Sequence, residues 1–378
     1  MKIVLLLEDQ IAANNYLSLK NITEATKQNE HYIEVWDLRF VLGLQKRYKN
    51  IMITNEDFKI KTFGSSREII SALKNEKDTI FISTYRLTQN NLFFYQELKK
   101  LDFKYFVLKN KSHPLTDSVA ELRYRSNRIK KYFINKIHQK LNKLYFKNFS
   151  NINIPNLIIL GTKNDKNLLN FPCSEDKIIY THNNEYDKQI FINKSNVSKN
   201  HILFVDQYLP YHPELITEKI NAYQYYNKIN TFLLKISLQL KTPAVVSVHP
   251  IGDITKIEPY FSRNIALKRN ETPKLINSAK LIIGHSSTAL IQAIVLGKPF
   301  ILITSNHIKN TSIHRGTVAL AKILKLEVIN IDDENIKKNI LENTLINTDR
   351  IFNKYIKHKN TPDLYTWEVI SKILNTIK

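Results

Sequence analysis

Short apolar runs suited to strands alternate with longer amphipathic stretches suited to helices along the whole chain, and this rhythm constrains the fold most. Strands joined through helices lie parallel, so the pattern specifies α/β architecture built on parallel sheets. In the first half the strand-like runs are Ile3–Leu7, Ile51–Thr54, Thr79–Ile82, Tyr105–Leu108, Leu157–Leu160 and Lys177–Tyr180. A second series opens at His201–Asp206 and continues through Ala244–Val248, Leu281–Ile283, Phe300–Ile303 and Leu326–Ile331. Helices are expected at Pro213–Gln239, Pro273–Ala279, Thr288–Leu296, Thr317–Leu324, Asp333–Asn343 and Leu364–Ile377. The polar segment Asp187–Asn200 reads as a connection. A chain of 378 residues exceeds one compact core. The expectation is therefore two Rossmann-like domains facing a cleft, residues 1–190 and residues 191–378.

Composition removes several classes. An apolar fraction of 43% with 24% charged residues suits a globular chain, and seven glycines with eleven prolines exclude fibrous or low-complexity structure. The single cysteine, Cys173, allows no internal disulfide or cysteine zinc cluster and suits a reducing compartment. No run reaches the roughly 18 apolar residues of a spanning helix, and Ile3–Leu7 is too short for a secretory leader. The net charge of +22 is the outlier and implies an anionic partner. It is concentrated at Leu122–Phe149, which holds nine Lys or Arg and no acid. Ile129, Phe133, Ile137, Leu141 and Leu144 form one helical stripe within it. Such a basic amphipathic helix suits either an anionic membrane surface or packing of its stripe on the core. No nucleic-acid recognition motif accompanies the charge.

Two motifs in the last third carry the chemistry. Val245-Val246-Ser247-Val248-His249-Pro250 ends an apolar run, and Gly284-His285-Ser286-Ser287-Thr288 follows another, 34 residues after Pro250. Both belong at the C-terminal edge of a parallel sheet, where open α/β sheets bind ligands. Ala289–Ile294 then continues as a helix. Hydroxyls and backbone N–H groups at a helix start favour a phosphate, and His249 adds a proton or a positive charge. Together they describe a site for a nucleotide phosphate that becomes a leaving group. No glycine fingerprint follows Leu7, no phosphate-binding G-x-x-x-x-G-K-[ST] loop is present, and no D-x-D pair ends a strand.

A His-Pro after one strand and a Ser-Ser before a later helix resemble bacterial sialyltransferases and related enzymes that use CMP-activated nine-carbon sugars. The resemblance covers residues 200–305 and implies the two-domain GT-B fold. It implies that His249, Ser286 and Ser287 hold the CMP phosphate and that Glu271, 15 residues before Ser286, binds the ribose. Pro250, Gly284 and Thr288 complete the same nucleotide-binding loops. Transferases of CDP-glycerol and related polyol phosphates show a similar pairing, and a nucleotide-sugar 2-epimerase shares the architecture.

The chain departs from the family at the catalytic base. After Tyr105–Leu108 the sequence reads Lys109-Asn110-Lys111-Ser112-His113, without a carboxylate. Asp9, beside Glu8 at the end of the first strand, is one candidate base. Asp206 is another, with Gln207, Tyr208 and His212 lining its loop; His113 is a third. The expected activity is inverting, metal-independent glycosyl transfer from a CMP donor to a hydroxyl of a surface glycan or lipid-linked glycan. No cofactor beyond the donor is implied, and the expected location is cytoplasmic, peripheral on the inner membrane face. A nucleic-acid-binding protein using the positive charge is the alternative from another class.

Overall fold

A computed structural model describes residues 2–6, 31–43, 59–85, 87–110, 114, 152–169, 171, 173–187, 189, 200–213, 215–333 and 351–376. Glu8, Asp9, His113, the run Ile51–Thr54, the basic stretch Leu122–Phe149, most of the connection after Asp187 and nearly all of Asp333–Asn343 lie outside them. The described residues of 1–112, 130–187 and 357–378 form one compact unit, and those of 113–129 and 188–356 form a second.

The first unit holds strands β1 (Lys2–Leu6), β2 (Tyr32–Asp37), β3 (Lys59–Thr62), β4 (Thr79–Ser83), β5 (Tyr105–Lys109), β6 (Leu157–Leu160) and β7 (Ile178–Tyr180). They form one sheet in the order β3-β2-β1-β4-β5-β6-β7, parallel throughout. Alternation along β1 sends Ile3 and Leu5 to one face and Val4 and Leu6 to the other. Helices α1 (Ser66–Lys74) and α2 (Leu92–Lys100) cover the Val4 face through Ile69, Leu73, Phe94 and Leu98. Trp36 and Phe81 pack there edge to face, centroids 5.6 Å apart.

Strand β2 is absent from the expectation because Glu34 and Asp37 interrupt its apolar run. Glu34 is buried with Trp36 Nε1 donating to it at 2.8 Å and Lys2 paired to it at 3.2 Å. Strand β3, at the sheet edge, carries Lys59 and Lys61 and shows no apolar signal.

The second unit holds β8 (His201–Val205), β9 (Ala244–Val248), β10 (Ala266–Arg269), β11 (Ala279–Gly284), β12 (Phe300–Thr304) and β13 (Val328–Asn330) in the order β10-β9-β8-β11-β12-β13. All pairs are parallel. Helix α3 (Ala222–Leu240) packs Tyr225, Tyr226, Ile229, Phe232, Leu233 and Ile236 onto the face formed by Phe204, Val246 and Ile283. The expected start of this helix at Pro213 is corrected. Past Pro213 the backbone runs through a 3₁₀ turn at Ile216–Glu218, turns left-handed at Lys219 (φ 50°), and only then meets its cap, where Asn221 accepts from the Gln224 N–H at 3.0 Å. Helices α4 (Thr272–Ser278), α5 (Ala289–Val295) and α6 (Ser312–Leu324) follow. Helix α6 begins before the expected Thr317 because Thr311 caps it through the His314 N–H. Strand β10, an edge strand of sequence ALKR, was not legible as a strand.

The last helix, α7 (Thr366–Thr376), belongs to the first unit. Trp367, Ile370 and Leu374 bury against Ile3, Ile80, Phe106 and Ile159. The expected assignment of everything after residue 190 to the second domain is thus corrected. The apolar stripe of α7 completes the open face of the first sheet. The Asp187 carboxylate accepts the Thr366 N–H at 2.9 Å, and Leu364 O meets His182 Nε2 at 2.7 Å.

Candidate functional site

The second sheet reverses its order at β8: the chain steps outward through β9 and β10, then returns to place β11 on the other side. Such a switch point is where doubly wound sheets bind ligands, beyond the strand C-termini. Register aligns Val205 with Ser247 and with Gly284, and Val248 with Arg269. The residues that follow therefore leave the sheet along one edge: Asp206, His249, Glu271 and His285 with Ser286. Strands spaced roughly 4.8 Å apart put the β9 and β11 loops on the order of 10 Å from each other, on either side of β8.

The loop after β8 folds inward. The Asp206 N–H donates to Ser247 O at 3.0 Å, and the carboxylate, only 2% exposed, faces the Tyr226 hydroxyl at 3.4 and 3.5 Å. Burial is the largest influence on it and pushes its pKa from 3.8 to about 7, against hydrogen bonds from the Tyr208 and Gln207 backbone and Tyr226. Tyr208 is left-handed (φ 55°). The Gln207 Oε1 is buried without a hydrogen-bond partner among the described residues. Asp206 thus sits beneath its own loop and does not face solvent in this conformation.

The loop after β9 is a tight turn, His249-Pro250-Ile251-Gly252, closed by Gly252 N–H to His249 O at 2.7 Å. Proline second and glycine fourth suit such a turn. A Cβ on Gly252 would lie 2.8 Å from Val248 Cγ1, 2.9 Å from His249 O and 3.3 Å from Tyr208 Cδ2. Arg269, at the end of β10, donates from Nη1 to Gly252 O at 2.9 Å. Burial and the neighbouring His212, whose ring centroid is 5.3 Å away, lower the His249 pKa from 6.5 to about 4. The ring is therefore neutral at pH 7. Its Nδ1 accepts the Ile251 N–H at 3.4 Å, which leaves the proton on Nε2. A neutral His249 with its proton on Nε2 offers a hydrogen-bond donor.

Glu271 is exposed at the start of α4, with its carbonyl accepting the Leu275 N–H at 3.0 Å. Thr272 beside it shares a 2.7 Å hydrogen bond with Ser247. After β11, His285 is fully buried and lowered to about 4 by burial. Its Nδ1 faces Ile303 O at 2.8 Å and its Nε2 the Tyr225 hydroxyl at 2.8 Å. A carbonyl only accepts, so Nδ1 donates and Tyr225 donates to Nε2. This anchors the next two residues. Ser286 and Ser287 are half-buried and Thr288 is exposed. Ser287 Oγ accepts the Ala289 N–H at 3.3 Å, at the start of α5. Gly284 has its nearest neighbour 3.7 Å from a Cβ position, so local packing does not demand glycine there.

The structure thus brings Asp206, His249, Pro250, Glu271, Gly284, Ser286, Ser287 and Thr288 to one sheet edge. Asp9 and His113 lie outside the described residues. Sequence reasoning missed Gly252, Arg269 and the Tyr225–His285 pair. The spacing of Pro250 and Gly252 is a turn signal that could have found the first. Nothing in the sequence marks Arg269 or Tyr225.

No protein-family model and no curated protein matches the sequence. Among solved structures the chain is similar to a variant of the wall teichoic acid polymerase TagF, with 9% identity and a TM-score of 0.53, covering 100% of this chain and 88% of that one. It is also similar to CalG4, the calicheamicin glycosyltransferase, with 8% identity and a TM-score of 0.52, over 99% and 97%. The UDP-GlcNAc 2-epimerase of Methanocaldococcus jannaschii aligns over 100% of both chains at 16% identity and a TM-score of 0.48. The two parallel-sheet units and the first two likenesses give the chain a GT-B fold.

Proposed function

We propose that this chain is an inverting glycosyltransferase that moves a nonulosonic acid of the sialic acid type from its CMP donor to a hydroxyl of a bacterial surface glycan. One observation carries the reading. The His249 turn after β9 and the Ser286-Ser287 loop after β11 flank the switch strand β8 at the ligand-binding edge of a GT-B unit. Two of the similar structures bear the names of a glycosyltransferase and a wall polymer polymerase, which supports glycosyl or related transfer.

In the proposed reaction the acceptor oxygen bonds to the anomeric carbon while the bond from that carbon to the phosphate oxygen breaks. CMP departs with the electron pair. The His249 Nε2–H and the hydroxyls of Ser286 and Ser287 donate to the phosphate, where negative charge grows. Glu271 accepts from the ribose hydroxyls. The acceptor proton passes to a carboxylate, Asp9 or Asp206. Asp206 has a pKa near the working range of a base, but it needs its loop to open. No resident metal or cofactor takes part in this scheme.

The second reading is a transferase of CDP-glycerol or another nucleotide sugar on the same fold, favoured by the fold likeness to a wall teichoic acid polymerase. Thermal-shift measurements with CMP, CDP, UDP and ADP separate the two, because a ligand stabilises only the form that it binds. CMP-selective stabilisation, and a loss of about 10²-fold or more in transfer by His249→Ala, are expected. A CDP- or UDP-selective shift would move the assignment to the second reading. Unchanged turnover in a folded His249→Ala protein would remove His249 from the mechanism.

Membrane association at the inner face is part of the proposal and rests on the charge of Leu122–Phe149. Among the described residues no helix is long and apolar enough to cross a membrane. Exchanging Lys130, Lys131, Lys136 and Lys140 for Gln should release the protein from anionic vesicles, since each such charge contributes about 1 kcal/mol.

A further inference from the structure

The turn that presents His249 is held from outside by an exposed cation, Arg269. Its closing bond, Gly252 N–H to His249 O, fixes the backbone from within. Gly252 is packed against Val248 and Tyr208 with no room for a side chain. The one remaining polar group at the end of the turn, the Gly252 carbonyl, receives Arg269 Nη1 at 2.9 Å. The same turn orients the imidazole, because the Ile251 N–H that meets Nδ1 belongs to it.

Few other charged groups are placed to do this. His212 faces the His249 ring edge to face at 5.3 Å. Asp253, next along the chain, is occupied by Thr255, accepting its N–H at 3.0 Å and its hydroxyl at 2.7 Å. That Thr255 hydroxyl, with Arg269 as a smaller influence, holds the Asp253 carboxyl below its ordinary value. Arg269 stands on β10, directly beside Val248 in register.

We propose that Arg269 is a positioning residue for His249: its guanidinium fixes the Gly252 carbonyl, and through the turn it aims the His249 Nε2–H at the donor phosphate. This rests on the donor-site reading of His249. A guanidinium suits the task because its donors are planar and always charged, and hydrogen bonds from a charged donor are the stronger kind. Arg269 is exposed, so its replacement leaves the apolar core of the unit intact.

The test uses the full chain with Arg269→Gln and Arg269→Lys, each also combined with His249→Ala. The first readout needs no donor: titration of His249 followed by NMR of the isotope-labelled imidazole. In the wild type the ring should stay neutral down to about pH 4, with the proton on Nε2. In Arg269→Gln the midpoint should rise toward the ordinary 6.5 as the loosened turn admits water, and Arg269→Lys should fall between.

The second readout is transfer from the CMP-activated donor. Arg269→Gln should lower kcat about 10-fold or more, within the roughly 10²-fold cost of a 1 Å misplacement. In the His249→Ala background it should cost nothing further, because a residue acting through another is fully coupled to it. An unmoved His249 titration in Arg269→Gln overturns the proposal. So do equal losses in both backgrounds, which would make Arg269 an independent contact. If wild-type protein ignores CMP while the titration moves as expected, the donor reading falls and the clamp stands.

Discussion

Replacing Asp206 by Asn should change the pH dependence of stability in the second unit, in a direction fixed by burial. Folded Asp206 keeps its proton up to about pH 7, whereas an exposed carboxyl releases it near 3.8. Between those values the folded state binds more protons than the unfolded one, so raising the pH removes stability until the folded group has ionised. A separation of that size corresponds to about 4 kcal/mol at pH 8. Asn keeps the size and the acceptor for the Gln207 and Tyr208 N–H groups while carrying no charge. Asp206→Asn should therefore match the wild type near pH 4 and exceed it by up to about 4 kcal/mol at pH 8. In a unit of this size that is roughly 8–16 °C in Tm.

Two histidines, the half-buried His249 and the buried His285, work the other way. His249 and His285, depressed from 6.5 to about 4, add stability as pH rises through that interval. They are present in both proteins, so the difference between wild type and variant isolates Asp206. Scanning calorimetry at pH 4, 6 and 8 measures it. Both tryptophans, Trp36 and Trp367, pack in the first unit, so a heat-absorbing transition without a fluorescence change belongs to the second. The same pH dependence in wild type and variant would refute the reasoning. A concurrent loss of transfer with CMP affinity retained would also make Asp206 the base; full activity would leave Asp9.

Gly252→Ala should lower the second-unit transition by about 1–3 kcal/mol, the usual cost of overpacking, because its Cβ meets backbone at 2.9 Å, which no rotamer change relieves. A variant as stable as wild type, with unchanged CMP affinity, would mean that the turn yields freely. Ser286→Ala combined with Ser287→Ala should weaken CMP binding by about 1.5–3 kcal/mol for each hydrogen bond lost to the phosphate, read by calorimetric titration. Trp367→Ala should destabilise the first unit by about 3–5 kcal/mol, seen in Trp36 fluorescence, while the transition of the second unit stays in place.

What the sequence revealed divides along physical lines. Largely buried strands such as Leu157–Leu160, apolar throughout, and Ala244–Val248, apolar but for Ser247, were placed to the residue. Edge strands β3 and β10 need only one apolar face, and their lysines and arginine hid them. Strand β2 was obscured by Glu34, whose burial depends on Lys2 and Trp36. The covering of the first sheet by α7 was not legible either. An amphipathic helix shows that it needs a partner, without naming which sheet. At the candidate site, the strand-end placement of His249 and Ser286-Ser287 was legible because each follows an apolar run. Arg269 meets a backbone carbonyl in the turn after a neighbouring strand, and a carbonyl has no signature in sequence.

The place of α7 also sets an order of events during synthesis. The described strands of the first sheet are complete in sequence by Tyr180, yet among the described residues the cover that Ile3, Ile80, Phe106 and Ile159 receive from Trp367, Ile370 and Leu374 emerges only later. Residues 188–356, the bulk of the second unit, are made in the interval. At about 5–20 residues per second, that face waits roughly 10–40 s. The unit encoded second can therefore finish folding first, since its described residues all precede residue 357. The unit encoded first lacks its α7 cover meanwhile, and an apolar sheet face without its helix invites aggregation or a holding chaperone.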